Sequence, residues 1–135
     1  MKPDPLADYD GFDAALGFTM THADGDVVRG QIVVSPQQHQ PYGIVHGGVY
    51  CSVVESAASI GGALWFGDRG QVVGVSNTTH FVRAVREGVL QVEATPLHRG
   101  RTQQLWQVYI TDAQSRLVSK GEVRLANIVE PAALG

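Results

Sequence analysis

The chain has 135 residues, 44% hydrophobic and 17% charged, with a net charge of −3 and a single cysteine, Cys51. Such a composition folds around one core and is too short for two, so a single domain over 1–135 is expected, with its core at about 26–128. The acidic balance excludes general nucleic-acid binding through a basic surface, and one cysteine excludes an intrachain disulfide, which points to a cytoplasmic location. The opening MKPDPLADYD lacks the apolar region of a signal peptide, and no apolar run is expected to span a membrane, because glycines and Glu55 dilute the best one.

In YDGFDAALGF, Phe12, Ala15 and Leu16 fall on one side of a short helix or turn. GDVVRGQIVVSP is rich in Val and Ile and stops at Pro36, which predicts a strand of about eight residues. QQHQPYG follows as a polar loop. Residues 47–66 are too long for an ordinary strand and rich in Ala, Ser and Gly, so they predict one long helix, weakened late by Gly61-Gly62. After Gly70 come four β-rich runs, QVVGVSNTTHFV, GVLQVEATPLH, QQLWQVYIT and RLVSKGEVRLANI, separated by RAVREG, RGRT and DAQSR. In the third run Trp106, Val108 and Ile110 alternate with Leu105, Gln107 and Tyr109. Strands joined by short turns pair antiparallel, and a long apolar helix must cover one face of their sheet. The predicted fold is α+β: an antiparallel sheet wrapped around one long central helix.

That helix carries one formal charge, Glu55. Ser52, Glu55, Ser56 and Ser59 recur at spacings of three and four and share a face, which Gly48 and Gly62 extend. Val49, Val53, Val54, Ala57, Ile60 and Leu64 occupy the other faces. One reading makes the stripe a solvent face and Glu55 a solvated charge. A solvent face is usually richer in long polar side chains, however, and small residues leave room for a second helix or a ligand. A carboxylate there is partly desolvated and suited to base chemistry. His46-Gly47-Gly48 stands at the helix start, where N–H groups lack intrahelical partners and can hold a negative oxygen. Taken alone, HGG reads equally as a tight turn into the helix. Gly47 and Glu55 are separated by about 12 Å along the axis, at ~1.5 Å per residue. An oxyanion donor and a base serving one carbonyl must both come within roughly 3 Å of the reacting atoms. If both act, they come from two subunits with antiparallel helices side by side.

QPYGIVHGGVYCSVVESAAS, VVGVSNTTHFVRAVREG and PLHRGRTQQLWQV together, in that order, resemble the hot-dog-fold acyl-CoA thioesterases over about residues 26–128. The resemblance is strongest to the group containing 1,4-dihydroxy-2-naphthoyl-CoA thioesterase of menaquinone biosynthesis, to which the enterobactin proofreading thioesterase is related. It implies a single hot-dog domain that hydrolyses an acyl-CoA with an aromatic or cyclic acyl group. It also implies Glu55 as nucleophile or general base, the Gly47 N–H as oxyanion donor, Gln40 and His46 orienting the thioester, and Ser59 placing water. Val73, His80 and Arg83 are then expected at the substrate, and His98, Arg99, Gly100, Arg101, Thr102 and Gln103 at the nucleotide end of coenzyme A. A homodimer that pairs into a homotetramer is implied, with no cofactor beyond the coenzyme A of the substrate.

Arg83, Arg86, Arg99 and Arg101 are four of ten basic residues and lie in two turns, which suits a small polyanion; ordinary turn charges are the alternative. His22 and His39 read as surface residues, and Tyr50, Trp65 and Phe66 as core or interface. The five histidines are scattered, without metal-ligand spacing, and no G-x-S-x-G elbow occurs. Two other functions are open to a chain of this kind: an acyl-CoA dehydratase or hydratase, which HGG…E fits poorly, and a non-catalytic acyl-CoA-binding module.

Overall fold

The computed structural model describes residues 11–129. A short helix α1 (Phe12–Ala15) leads into strands β1 (Phe18–Ala23) and β2 (Val28–Val33), then the long helix α2 (Gly47–Phe66). Four strands follow: β3 (Gln71–Phe81), β4 (Val89–Arg99), β5 (Gln103–Thr111) and β6 (Leu117–Ile128). They form one sheet in the order β1-β2-β4-β5-β6-β3, antiparallel at every pairing. The sheet curls around α2, so β3 and β1 are its two edges.

The helix occupies the residues predicted, and the third β-rich run buries Trp106, Val108 and Ile110 completely, as its alternation requires. β1 was not anticipated. Its sequence FTMTHA has little hydrophobic contrast, but the Asp24-Gly25 that follows is a hairpin signal. Asp24 Oδ1 accepts from the N–H groups of Asp26 and Val27, both at 2.8 Å, and closes the β1–β2 turn. These bonds hold the carboxyl of Asp24 down to about 2, the Asp26 N–H contributing most. β2 is six residues long rather than eight. α1 itself buries no side chain: Phe12 is exposed, and the buried residue is Leu16, which caps the helix.

Gly61-Gly62 does not weaken α2, which runs on to Phe66. A Cβ on Gly61 would stand 2.5 Å from the Trp106 ring, and one on Gly62 would stand 2.3 Å from Leu125. The two glycines let the helix descend onto the largest core side chain. A buried polar chain is tied in beside them. Gln104 Nε2 donates to the Gly62 carbonyl and to Asn127 Oδ1, while Trp106 Nε1 donates to Gln104 Oε1. Leu64, expected on a buried face, is exposed at the far side of the helix. By length and mean hydropathy, 1.3, Gly47–Arg69 does meet the requirement of a membrane span, contrary to the sequence reading; here half of its most apolar window is buried inside the fold.

Candidate active site

The start of α2 is built by the preceding loop. The His46 N–H donates to the Gln38 carbonyl and the Val45 N–H to the Val85 carbonyl, which fixes the chain's entry into the helix. Gln38 is itself buried, its amide donating to the carbonyls of Leu16 and Val33. His46 is the N-cap: its Nδ1 accepts from the Gly48 N–H at 2.8 Å. An accepting Nδ1 leaves the ring proton on Nε2 in the neutral imidazole. With Gly48 N–H taken by the cap, the Gly47 N–H remains, and it has no acceptor among the described residues.

Gly47 borders a cavity of about 260 Å³ that Gln40, Tyr50, Phe81 and Arg83 also line. Gln40 Oε1 accepts from the Tyr42 N–H, which orients the side chain and leaves its amide NH2 without a partner among the described residues. The Phe81 ring covers Gly47 so closely that a Cβ there would lie 2.4 Å from Cε2. Tyr50, beside Phe81, is 3% exposed, and its hydroxyl has no hydrogen-bond partner among the described residues. Burial pushes the Tyr50 phenol up to about 12.

Glu55 lies two turns further along α2, exposed on this single chain. Its carboxylate rests over β3, where a Cβ on Gly74 would be 3.2 Å from Oε2, and it has no hydrogen bond or ion pair among the described residues. Ser59 follows one turn later, half-buried. The rest of the small-residue stripe is partly engaged within the chain: the Ser52 hydroxyl donates to the Gly48 carbonyl and Ser56 to Asp13 Oδ1. Among the described residues β3 pairs with β6 only, which leaves the sheet edge beside Glu55 open, and Val75, 57% exposed, sits on it at a bulge. Val73 and His80 lie on the same edge strand.

The structure brings Gln40, His46, Gly47 and Arg83 together at the helix start and sets Glu55, Ser59 and Val73 apart from them along the helix and β3. It also divides the four grouped arginines. Arg86 donates to the carbonyls of Tyr42 and Gly43, and Arg99 donates to the Gly25 carbonyl and to Asp26 at 2.8 Å. Both are anchors between loops. The side chains of Arg83 and Arg101 have no partner among the described residues. Gly100 to Gln103 form the tight β4–β5 turn beside His98, closed by the Gly100 N–H donating to the Gln103 carbonyl and held by Asn127, whose amide donates to the carbonyls of Gly100 and Arg101. Thr102 is exposed at its tip, and Gln103 accepts from Arg124. His22 is exposed, as expected, and contacts Asp24, while His39 is partly buried and contacts the Arg86 carbonyl, each at 2.8 Å. Tyr50, Phe81 and Asn127 were not picked out by sequence reasoning as site residues. The spacing of Tyr50 from Gly47, three residues on a helix, was the available signal for the first.

An antiparallel sheet curled around a single long helix is the hot-dog architecture. The family described as the thioesterase superfamily matches residues 42–119, more than half of the chain, and the chain belongs to that family. "Putative esterase Rv1847" of Mycobacterium tuberculosis is 47% identical over 130 residues, covering 94% of this chain and 93% of that protein. The solved structure of that protein superposes with a TM-score of 0.85 at 48% identity, over 87% of this chain and 95% of the other. AziG of S. sahachiroi superposes with a TM-score of 0.86 at 46% identity, over 87% and 96%. Thioesterase HI1161 of Haemophilus influenzae does so with a TM-score of 0.83 at 28% identity, over 90% and 86%. The chain is thus an enzyme of the thioester hydrolase class.

Proposed function

We propose that the chain hydrolyses an acyl-CoA thioester with an aromatic or cyclic acyl group, such as 1,4-dihydroxy-2-naphthoyl-CoA, to the free acid and coenzyme A in the cytoplasm. The observation that carries the reading is a pair of groups on α2 without partners among the described residues: the Gly47 N–H, beside a cavity, and the Glu55 carboxylate. The thioester carbonyl accepts from the Gly47 N–H, reinforced by the helix dipole. Glu55 then either takes a proton from water, which attacks the carbonyl carbon, or attacks it directly to give, once the thiolate has left, a mixed anhydride that water hydrolyses to the free acid and Glu55. The tetrahedral oxyanion collapses, the C–S bond breaks, and coenzyme A leaves as the thiolate. The Gln40 amide and His46 orient the thioester, and Ser59 helps place water. No metal is required, because a thioester has weak resonance and a good leaving group.

The two groups meet only if a second copy supplies one of them, since they are about 12 Å apart on one helix. Thioesterases of this fold typically form oligomers and bind acyl-CoA. The open β3 edge next to the exposed Glu55 supports an antiparallel dimer joined edge to edge, with two such dimers making a tetramer. Arg83 and Arg101, both without side-chain partners among the described residues, are the cations for the phosphates of coenzyme A. The test is thiol release from a panel of aroyl-, cyclic and alkyl-CoA thioesters. Release with preference for aroyl groups supports the reading; binding without release makes the chain an acyl-CoA-binding module, and addition of water to enoyl-CoA without release makes it a hydratase.

A further inference from the structure

Phe81 ends β3 and is 56% exposed, an unusual setting for a phenylalanine, yet one edge of its ring is pressed onto Gly47. Cε2, Cζ and Cδ2 would lie 2.4, 2.7 and 2.9 Å from a Cβ at Gly47. Tyr50 packs against the same ring, with centroids 6.1 Å apart and planes tilted by 40°. The chain past Phe81 is held in place, since the Val82 and Arg83 N–H groups both donate to the Val118 carbonyl. The ring is therefore backed by Tyr50, fixed by its own strand and open on the cavity side, which Gln40 and Gly47 also border.

We propose that Phe81 is a specificity-determining residue, the wall on which the acyl group lies, and that Phe81 with Tyr50 selects planar aromatic acyl groups over flexible alkyl chains. The inference rests on the thioesterase reading, because it takes Gly47 as the donor to the carbonyl. A carbonyl oxygen that accepts from the Gly47 N–H brings its substituents to the ring that covers Gly47. An aromatic acyl group attached directly to that carbonyl is rigid and presents a face or an edge to Phe81, which offset or tilted ring pairs favour beyond plain area burial. An alkyl chain gains only apolar contact and must be ordered. Tyr50 makes the wall stiff and wide, and its hydroxyl, buried without a partner among the described residues, marks this corner as one in which a bound molecule can still complete the hydrogen bonding.

The experiment compares kcat/KM for benzoyl-CoA and hexanoyl-CoA in the wild type, Phe81→Leu and Phe81→Tyr. Leucine keeps an apolar side chain and removes the π face; tyrosine restores the face. Phe81→Leu should lower kcat/KM for benzoyl-CoA by about three- to tenfold more than for hexanoyl-CoA, and Phe81→Tyr should return most of that ratio. The same ratio should appear in dissociation constants measured by calorimetry on the Glu55→Gln background, where turnover does not interfere. Equal losses on both thioesters, or a ratio that Phe81→Tyr does not restore, overturn the inference and leave the hydrolase reading standing. Absence of hydrolysis of every thioester by the wild type strikes the hydrolase reading and takes this inference with it.

Discussion

The two ends of α2 use the same residue type for opposite purposes. At the C-terminal end, Gly61 and Gly62 are fully surrounded, their missing side chains replaced by Trp106 and Leu125. The polar groups there are engaged as well: the Gly62 carbonyl with Gln104, Gln104 with Trp106 and Asn127, and the carbonyls of Trp65 and Phe66 with Arg69. At the N-terminal end Gly47 is covered by a half-exposed ring at a cavity wall. Around it and along the helix, the Gly47 N–H, the Gln40 NH2, the Tyr50 hydroxyl and the Glu55 carboxylate are all without partners among the described residues. A buried or helix-end polar group is normally satisfied, so the unpartnered groups at the cavity mark a place where another molecule is expected to bind, with Glu55 standing apart from them along the helix.

The comparison breaks most visibly at Glu55 and Gly47. Glu55→Gln keeps the shape and removes the base, and turnover should fall by at least ~100-fold while substrate still binds. Gly47→Val drives a side chain into the Phe81 ring and should be equally inactive. Heterodimers of the two variants, isolated by differential tags after refolding, should regain as much as about half of wild-type activity, because one shared site then carries both defects and the other neither. A folded heterodimer with no recovery would place Gly47 and Glu55 in separate functions.

The arginines sharpen the contrast between engaged and unengaged groups. Arg83→Ala and Arg101→Ala should each raise KM for an acyl-CoA by an amount equivalent to roughly 1.5–3 kcal/mol, with little change for the matching N-acetylcysteamine thioester. Arg86→Ala and Arg99→Ala remove loop anchors and should leave the ratio of the two substrates unchanged. A KM effect specific to coenzyme A at Arg99 would mean that its bond to Asp26 is exchanged for one to the ligand.

At the other end of the helix the expected damage is to stability. Gly62→Ala inserts a methyl group against Leu125 and Gln104, and overpacking of this kind costs about 1–3 kcal/mol. A lowered thermal midpoint with turnover per folded molecule preserved is the expected result; lost turnover at full stability would assign this end a catalytic part. The smallest effect concerns Asp24, in the exposed β1–β2 turn whose Gly25 packs on Trp65 near the C-terminal end of the helix. Its folded-state value, about 2, lies below the ordinary carboxylate value, so its turn bonds contribute to stability above about pH 4 and are lost as pH falls through about 2. Asp24→Ala should flatten that part of the acid limb of a stability–pH curve, and an unchanged acid limb would show that the β1–β2 turn does not need the carboxylate.

Much of this molecule is decided by local pattern. A long, mostly apolar stretch with a helical spacing of small residues places α2 at Gly47–Phe66, and period-two alternation places the buried face of β5, because both depend on which residues recur at 3.6 or 2.0 positions. A single carboxylate on that helix stands out in the sequence for the same reason. The neighbours of each group, by contrast, depend on contacts between residues distant in the chain. Whether Gly61-Gly62 breaks a helix or seats a tryptophan depends on Trp106, more than forty positions away. Whether an arginine waits for a phosphate or ties a loop depends on Asp26 lying beside Arg99, and nothing in RGRT announces that partner. Phe81 reads as one more apolar residue at the end of a strand; only the curl of the sheet around α2 lays its ring on Gly47 and leaves the other side open. Periodicity fixes the elements because it is a property of neighbouring residues. The partnered and unpartnered groups that separate structure from site arise only when the chain closes on itself.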